Sequence, residues 1–497
     1  KIDGLDHLTS LTILDLRGNQ ISKIDGLDHL TSLTMLGLRR NKISKLEGLD
    51  RLKVLRKLDI SENKIQSVDD IKPLSPILGQ TLKILRIHDN LFVEVSGLLL
   101  SPYKNHLPEI KTLLEKEEQS KVLYDPFCKV MLLGNHRSGK STFLKGYDTG
   151  YQYEGSTHVL SVHRATEPNA IFYDFGGQDY YHGIYQAFFT TQSLYFLFWD
   201  AKKDRNFVSV DDNGYQTLNF NRPYWLGQIA YACNRCMSVG GNPDGKDTPQ
   251  TTDDTIIIQT HADETGTKQQ TLGCAAGDSV LEEIYVSLEP KANSAVHALN
   301  YLNERVREVV ASRSKSIQIT EKDRGLYEAL PSIAGDNKHS PVSLETLAAQ
   351  LNKGRDENDL YTIEYLQTEL NQLSLRGEVL YYRENEKLNS YVWLDPAAFV
   401  QMIHREILKK KSVDKGKIRK DTFRKKLDKL CSDGQTGIGE NNMTLQLLLE
   451  ELIVYEDKEC YVIPGYLPLH SDDEAYKWLT LGFEGPNFVL KFERFIP

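Results

Sequence analysis

Three consecutive stretches open the chain: KIDGLDHLTSLTILDLRGNQIS, KIDGLDHLTSLTMLGLRRNKIS and KLEGLDRLKVLRKLDISENKIQ, a period of 22 residues over 1–66. A looser fourth copy follows an insertion around SPILGQT. No other feature restricts the fold so tightly. A unit this short cannot bury its own apolar face, so successive units must stack and share one continuous core.

Each copy carries LxxLxLxxN, as in Leu11, Leu14, Leu16 and Asn19, the pattern of a leucine-rich-repeat solenoid. Asn19, Asn41, Asn63 and Asn90 are expected to form a ladder that satisfies backbone groups freed after each strand. Alternation then places Ile13, Asp15 and Arg17 on the concave face, beside Met35, Gly37 and Arg39, then Lys57, Asp59 and Ser61, then Ile84, Arg86 and His88. Such a face either binds a protein ligand or belongs to a rigid arm that contacts its own chain. The first copy is in full register at residue 1, so further repeats are expected upstream.

The length of 497 residues predicts several domains. A net charge of -9 argues against the chain as a whole being a nucleic-acid binder. No long uncharged apolar run reads as a transmembrane segment, and neither a membrane span nor a signal peptide is expected from these residues. The 6 cysteines are scattered, which suits a reducing cytoplasm better than a disulfide framework. Cys233 and Cys236 form a lone CxxC without a second ligand pair, so they read as ordinary helix residues and not as a zinc site.

The apolar run CKVMLLG reads as a buried strand, and it runs into GNHRSGKS, which matches G-x-x-x-x-G-K-[ST]. Gly134, Asn135, His136, Arg137, Ser138, Gly139, Lys140, Ser141 and Thr142 are therefore the candidate phosphate-binding residues. Backbone amides would curl around phosphates at a helix N-terminus. Lys140 would reach the β- and γ-phosphates and Ser141 would ligate magnesium. A second strand ends in FYDFGGQDYYHG. Asp174 there can hold magnesium, Gly177 can sense a γ-phosphate, and Gln178 stands where a catalytic, water-orienting glutamine is needed. Between these motifs Thr157 is the candidate switch threonine on magnesium. A third buried strand, TIIIQTHADE, ends in Thr260, His261 and Asp263. A carboxylate at Asp263 accepts two hydrogen bonds from guanine that adenine cannot donate. Ser287 and Leu288 follow a further strand, where backbone amides could meet the guanine oxygen. Arg137, Arg164, Arg205 and Arg222 are alternative sources of a transition-state cation, and His182 is an alternative to Gln178.

This order of motifs resembles a Ras-like GTPase, and more closely the Roc domain of Roco proteins. The resemblance rests on FYDFGGQDYYHGIYQAFFTTQSLYFLFWDAK, on RPYWLGQI, and on T-H-A-D in place of N-K-x-D. It implies an α/β multidomain chain. Leucine-rich repeats would occupy 1–95 and a cap and linker 96–122. A Ras-like P-loop Roc GTPase domain would occupy 123–313. The winged-helix-like α+β first half of a COR domain would occupy 314–485, and the start of a truncated second half 486–497. In the family that second half dimerises, so the full-length protein is expected to be a homodimer.

The two segments TIEYLQTELNQLSLRGEVLYYRENEKLNSYVWLDPAAF and LQLLLEELIVYEDKECYVIPGYLP each read as a winged-helix unit. In the recognition-helix position of the first unit the only basic residue is Arg376, at the end. The basic run KKKSVDKGKIRKDTFRKKLDK reads as a solvated face with Phe423, Leu427 and Leu430 turned inward, so no nucleic acid is expected as partner. The leading function is a cytoplasmic regulatory GTPase that binds GTP or GDP with magnesium and hydrolyses GTP slowly. A nucleotide-holding interaction scaffold and an ATPase are the other two readings.

Overall fold

The computed structural model describes residues 2, 4–5, 7–102, 104–117, 119–148, 151, 160–177, 186–190, 192–200, 208–210, 216–234, 254–261, 280–288, 293–336, 338–403, 416–430, 442–451 and 453–463. Each repeat contributes one strand of three residues: β1 (Ile13–Asp15), β2 (Met35–Gly37), β3 (Lys57–Asp59) and β4 (Ile84–Arg86). They form one parallel sheet in chain order. The pairs Ile13 with Met35 and Met35 with Lys57 keep the 22-residue step of the sequence, and Lys57 with Ile84 absorbs the insertion. Leu36, Leu58 and Leu85 at the strand centres are fully buried in a common core with Leu30, Leu52 and Leu82.

The asparagine ladder satisfies the backbone groups freed by turning the chain so soon after so short a strand. Asn63 accepts from Ile43 N at 3.0 Å and donates to Leu38 O and Ile60 O, each at 3.0 Å. Asn41 and Asn90 repeat this arrangement one coil to either side. After the fourth coil His106 takes over: its Nδ1 accepts from Ile87 N at 3.1 Å and its Nε2 meets Ser101 O at 2.8 Å. Burial pushes the His106 pKa down to about 3, so the ring is neutral with its proton on Nε2. The helices α1 (Leu91–Ser96) and α2 (Leu107–Glu115) follow. On the concave face Ile13 and Ile84 are exposed, whereas Arg39, Asp59, Ser61 and His88 are buried. That half of the face is folded onto its own polar contacts: Arg39 and Arg40 both bind Glu62, and Asp59 accepts from Ser61 N.

The next sheet is built differently. Its strands are β6 (Cys128–Leu133), β7 (Leu160–Thr166), β8 (Asn169–Phe175), β9 (Leu194–Trp199), β12 (Thr255–Gln259) and β13 (Val280–Tyr285), in the order β13-β12-β9-β6-β8-β7. All neighbours are parallel except β7 and β8. The central strands read as unbroken apolar runs because both faces are covered. On one face α3 (Lys140–Tyr147) and the helix Asn293–Arg313 pack on Val130, Phe196 and Ile256; on the other, Met131, Tyr173 and Leu197 pack on residues from the third part of the chain, Leu380, Trp393 and Phe399 among them. The chain goes from β6 to β8 on one side and crosses to β9 on the other. That strand-order reversal opens a crevice at the carboxyl ends of the strands, where α/β sheets bind ligands.

The strand β5 (Lys121–Tyr124) straddles the expected 122/123 boundary and pairs antiparallel with β14 (Ile317–Thr320), closing the chain's path into and out of this sheet. Beyond it, two units share one plan. The first comprises Val342–Ser343, the helices Leu344–Leu351 and Ile363–Leu375, Leu380–Tyr381 and Tyr391–Trp393. The second comprises Lys417–Arg419, the helices Lys420–Leu430 and Met443–Glu450, Tyr455–Glu456 and Cys460–Val462. In both, the last strand lies centrally between the other two. Phe423 and Leu427 of the basic helix are fully buried, while residues 404–415 and 464–497 lie outside the described residues.

Candidate nucleotide site

The phosphate loop leaves β6 and enters α3. Gly134 adopts φ 132°, and a methyl there would strike Phe198 O and, at 2.9 Å, Ser138 Oγ. Gly139, at φ 100°, would place a methyl 2.5 Å from Leu288 Cδ1 and 3.3 Å from Thr260 Cγ2. Both positions therefore require glycine for conformation and for space. Arg137 holds φ 56° at the exposed tip of the loop. The Lys140 ammonium is buried, and it donates to Gly134 O at 2.7 Å and Asn135 O at 3.0 Å. It therefore bridges the loop's own carbonyls, from where it can turn to an incoming phosphate.

Ser141, one residue into α3, donates its hydroxyl to Asp174 Oδ2 at 2.6 Å. Asp174 is fully buried near the end of β8, and the Tyr151 hydroxyl approaches the same oxygen at 3.3 Å. Gly177 presses against the loop backbone: a methyl on it would overlap Asn135 C and O and His136 N. The two magnesium candidates within the described residues are thus brought together beneath the phosphate loop. A hydroxyl and a carboxylate form a hard-oxygen pair suited to magnesium, which takes one or two protein oxygens and completes its shell from phosphate and water. Among the described residues no cluster of three or more His, Cys, Asp or Glu could hold a metal on its own.

The loop that follows β12 is tied to the glycine-bracketed loop. Thr260 Oγ1 donates to Ser138 O at 2.9 Å, and Thr260 N donates to Trp199 O at 2.9 Å. His261 follows, exposed and at φ 56°. Ser287 is buried, and the Leu288 side chain lies over Gly139. Gln178, Thr157 and Asp263, with Arg205 and His182, lie outside the described residues.

Two of the candidate arginines are committed elsewhere. Arg222 is buried, pairs with Glu283 at 2.6 Å and sits over the Trp199 ring. Arg164 stacks on Phe127 and approaches Glu378 at 3.9 Å, away from the loop. Arg137 is the one described candidate within the loop.

Asn135 has a role that the motif does not disclose. Its Oδ1 accepts from Phe220 N at 2.9 Å and its Nδ2 donates to Phe220 O at 2.8 Å. Phe220 stacks on Tyr224 with centroids 4.0 Å apart, so the loop is braced against the segment entering the helix Arg222–Asn234. The residues are 85 apart in the chain, and nothing local in either stretch signals the pairing. Tyr151 was likewise invisible as a partner of Asp174.

Residues 129–236 match the family described as Ras of Complex, Roc, domain of DAPkinase. The chain therefore contains a Roc GTPase domain. Among solved structures it is similar to Methanosarcina barkeri Roco2 RocCORdC bound to GDP, with 17% identity, 71% of this chain and 100% of that chain covered, and a TM-score of 0.48. No curated protein matches. The matched range takes in the glycine-bracketed loop, Asp174 and Gly177, and it ends before Thr260. No helix among the described residues is long and apolar enough to cross a membrane.

Proposed function

We propose that the protein is a Roco-type regulatory GTPase, in which leucine-rich repeats and the first half of a COR domain flank a Roc domain that binds GTP or GDP with magnesium and hydrolyses GTP slowly. The observation that carries this reading is the Ser141 hydroxyl on the buried Asp174 carboxylate at 2.6 Å, directly under the glycine-bracketed loop. Bound magnesium would supply positive charge against the β- and γ-phosphates. The chain's own residues do the rest. Loop amides and Lys140 hold phosphate, and Thr157 joins Ser141 and Asp174 as a cation ligand. Gly177 reports the γ-phosphate. Gln178 orients the attacking water. Asp263 reads the guanine edge, His261 covers the base and Thr260 fixes the loop that carries them.

With one arginine in the loop and two others sequestered, turnover is expected in the range of unaided switches, on the order of 10⁻⁴ to 10⁻² per second. A rigid repeat arm would then sense the nucleotide state through COR contacts, and a concave-face protein ligand and a homodimer are part of the same proposal. Single-turnover hydrolysis of GTP, with ATP as competitor, tests the reading. Saturable guanine binding with slow phosphate release supports it; equal competition by ATP, or no release over many hours, rejects it.

A further inference from the structure

The helix Ile363–Leu375 occupies the place of a recognition helix in the first winged unit, yet it is covered by the repeat arm's own cap. Lys116 reaches both Asp323 and Glu369 at 2.6 Å, and Arg383 reaches Glu109 at 2.6 Å. At the end of that helix, Gln372 pairs with the backbone of Leu99 in both directions, at 2.8 and 3.0 Å, and Arg376 Nη2 donates to Gly97 O at 3.1 Å. The next residue faces the other way. Gly377 O accepts the Tyr173 hydroxyl at 2.5 Å. Gly377 adopts φ 83°, and a methyl there would lie 2.9 Å from Lys129 Cγ and 3.1 Å from the Tyr173 ring. Tyr173 is fully buried and immediately precedes Asp174 on β8; Lys129 lies on β6, the strand that delivers the phosphate loop.

We propose that the turn 376–378 and the Tyr173 hydroxyl form a positional link through which the repeat arm biases Asp174, so that Tyr173 is a positioning residue of the nucleotide site. The importance attached to Asp174 rests on the GTPase reading; the mechanical link does not. The end of the helix at Gln372 and the turn that follows it hold the arm's backbone at Leu99 and Gly97 on one side and Tyr173 of the Asp174 strand on the other. A displacement of the arm must either break the paired amide of Gln372 or move Gly377, which is bonded to the Tyr173 hydroxyl and so closely packed on Tyr173 and Lys129 that a methyl would not fit. The neighbouring side chains are packed and the contacts are short, so the strand follows.

The test is a double-mutant cycle on the full chain. Gln372→Ala cuts the arm side, with Arg376→Gln as a second cut should the first fail to fold. Tyr173→Phe removes the hydroxyl and keeps the ring. Amide exchange of residues 169–175 in nucleotide-free protein is the first readout; release of a fluorescent GDP analogue across a magnesium titration is the second. Gln372→Ala is expected to speed both by about three- to tenfold in the parent, and to add nothing in the Tyr173→Phe background. Additive effects, or an arm cut that leaves exchange of the strand unchanged, overturn the link. Should the protein bind no guanine nucleotide, the exchange measurement still decides the link and only the GTPase reading falls.

Discussion

The repeat arm and the Roc sheet are both parallel sheets, and they satisfy their backbones by opposite means. In the arm, strands of three residues leave most of each coil without sheet partners, and one side chain per coil, the asparagine, replaces them. In the Roc sheet, strands of up to seven residues pair along their length, and the polar side chains at the strand ends are released for other work. Asn63 spends its amide on Ile43, Leu38 and Ile60, whereas Ser141 bonds the Asp174 carboxylate and Thr260 bonds Ser138 O beside the glycine-bracketed loop, where the nucleotide is proposed to sit. Regular backbone pairing is what leaves a site free to be chemical.

The largest expected effect separates the two regions by pH. Burial pushes the His106 pKa in the folded arm down to about 3 from its ordinary 6.5, so the unfolded arm binds the extra proton and stability is expected to fall as pH drops from about 6.5 toward 3. Lys129 under the Roc sheet is pulled by burial from 10.5 to about 7. Its cost to stability is therefore full below pH 7 and is relieved as pH rises from 7 to 10.5. Lys129→Met should stabilise the Roc sheet by roughly 2–4 kcal/mol at neutral pH or below, and by little above pH 10.5. Denaturant unfolding of the two variants Lys129→Met and His106→Asn across pH checks both signs. A pH-independent gain from Lys129→Met would break the contrast.

Next in size, Asn63→Ala leaves Ile43 N without its partner and removes one of the two asparagine bonds at Leu38 O and at Ile60 O, and should cost the arm about 1–3 kcal/mol. Because coils interact chiefly with neighbours, amide exchange should rise in the second to fourth coils while nucleotide affinity holds. Global loss of the Roc sheet in step with the arm would show that the two are one cooperative unit.

Asp263→Asn should weaken GTP and GDP binding about ten- to a hundredfold, since a doubly accepting carboxylate becomes a mismatched amide. Equilibrium titration with a fluorescent nucleotide reads this, and unchanged affinity would remove Asp263 from the site. The smallest effect is expected from Thr260→Val, which keeps the shape and deletes the bond to Ser138 O. Loss of one neutral hydrogen bond of about 1 kcal/mol should speed GDP release roughly fivefold in stopped flow, without changing the unfolding midpoint of the arm.

Most of the arm could be read from the chain because its period is local. Strand positions, the ladder asparagines and the shared core follow from residues that recur every 22 places. The strand–loop–helix turn at GNHRSGKS could be read for a related reason: it needs glycines at fixed backbone angles, which Gly134 and Gly139 adopt, within one short stretch. The strand ends at Asp174 and Thr260 were legible from apolar runs that stop at a polar residue. These are properties of short stretches, and a sequence displays them directly.

What the chain alone did not reveal is which distant stretches meet. Asn135 with Phe220, Thr260 with Ser138, Tyr173 with Gly377 and Gln372 with Leu99 are separated by 85, 122, 204 and 273 residues. The same holds for the arginines. Arg164 and Arg222 look equivalent to Arg137 in the sequence, and only their packing against Glu378, and against Trp199 and Glu283, removes them from the loop. Sequence determined the repeat period, the phosphate loop and the strand ends, because short-range sterics and hydrophobic alternation act along the chain. Tertiary structure decided the bracing of the loop, the fate of Arg164 and Arg222 and the burial of the would-be recognition helix under the arm, because those depend on which surfaces remain to be covered once each part has formed its own core.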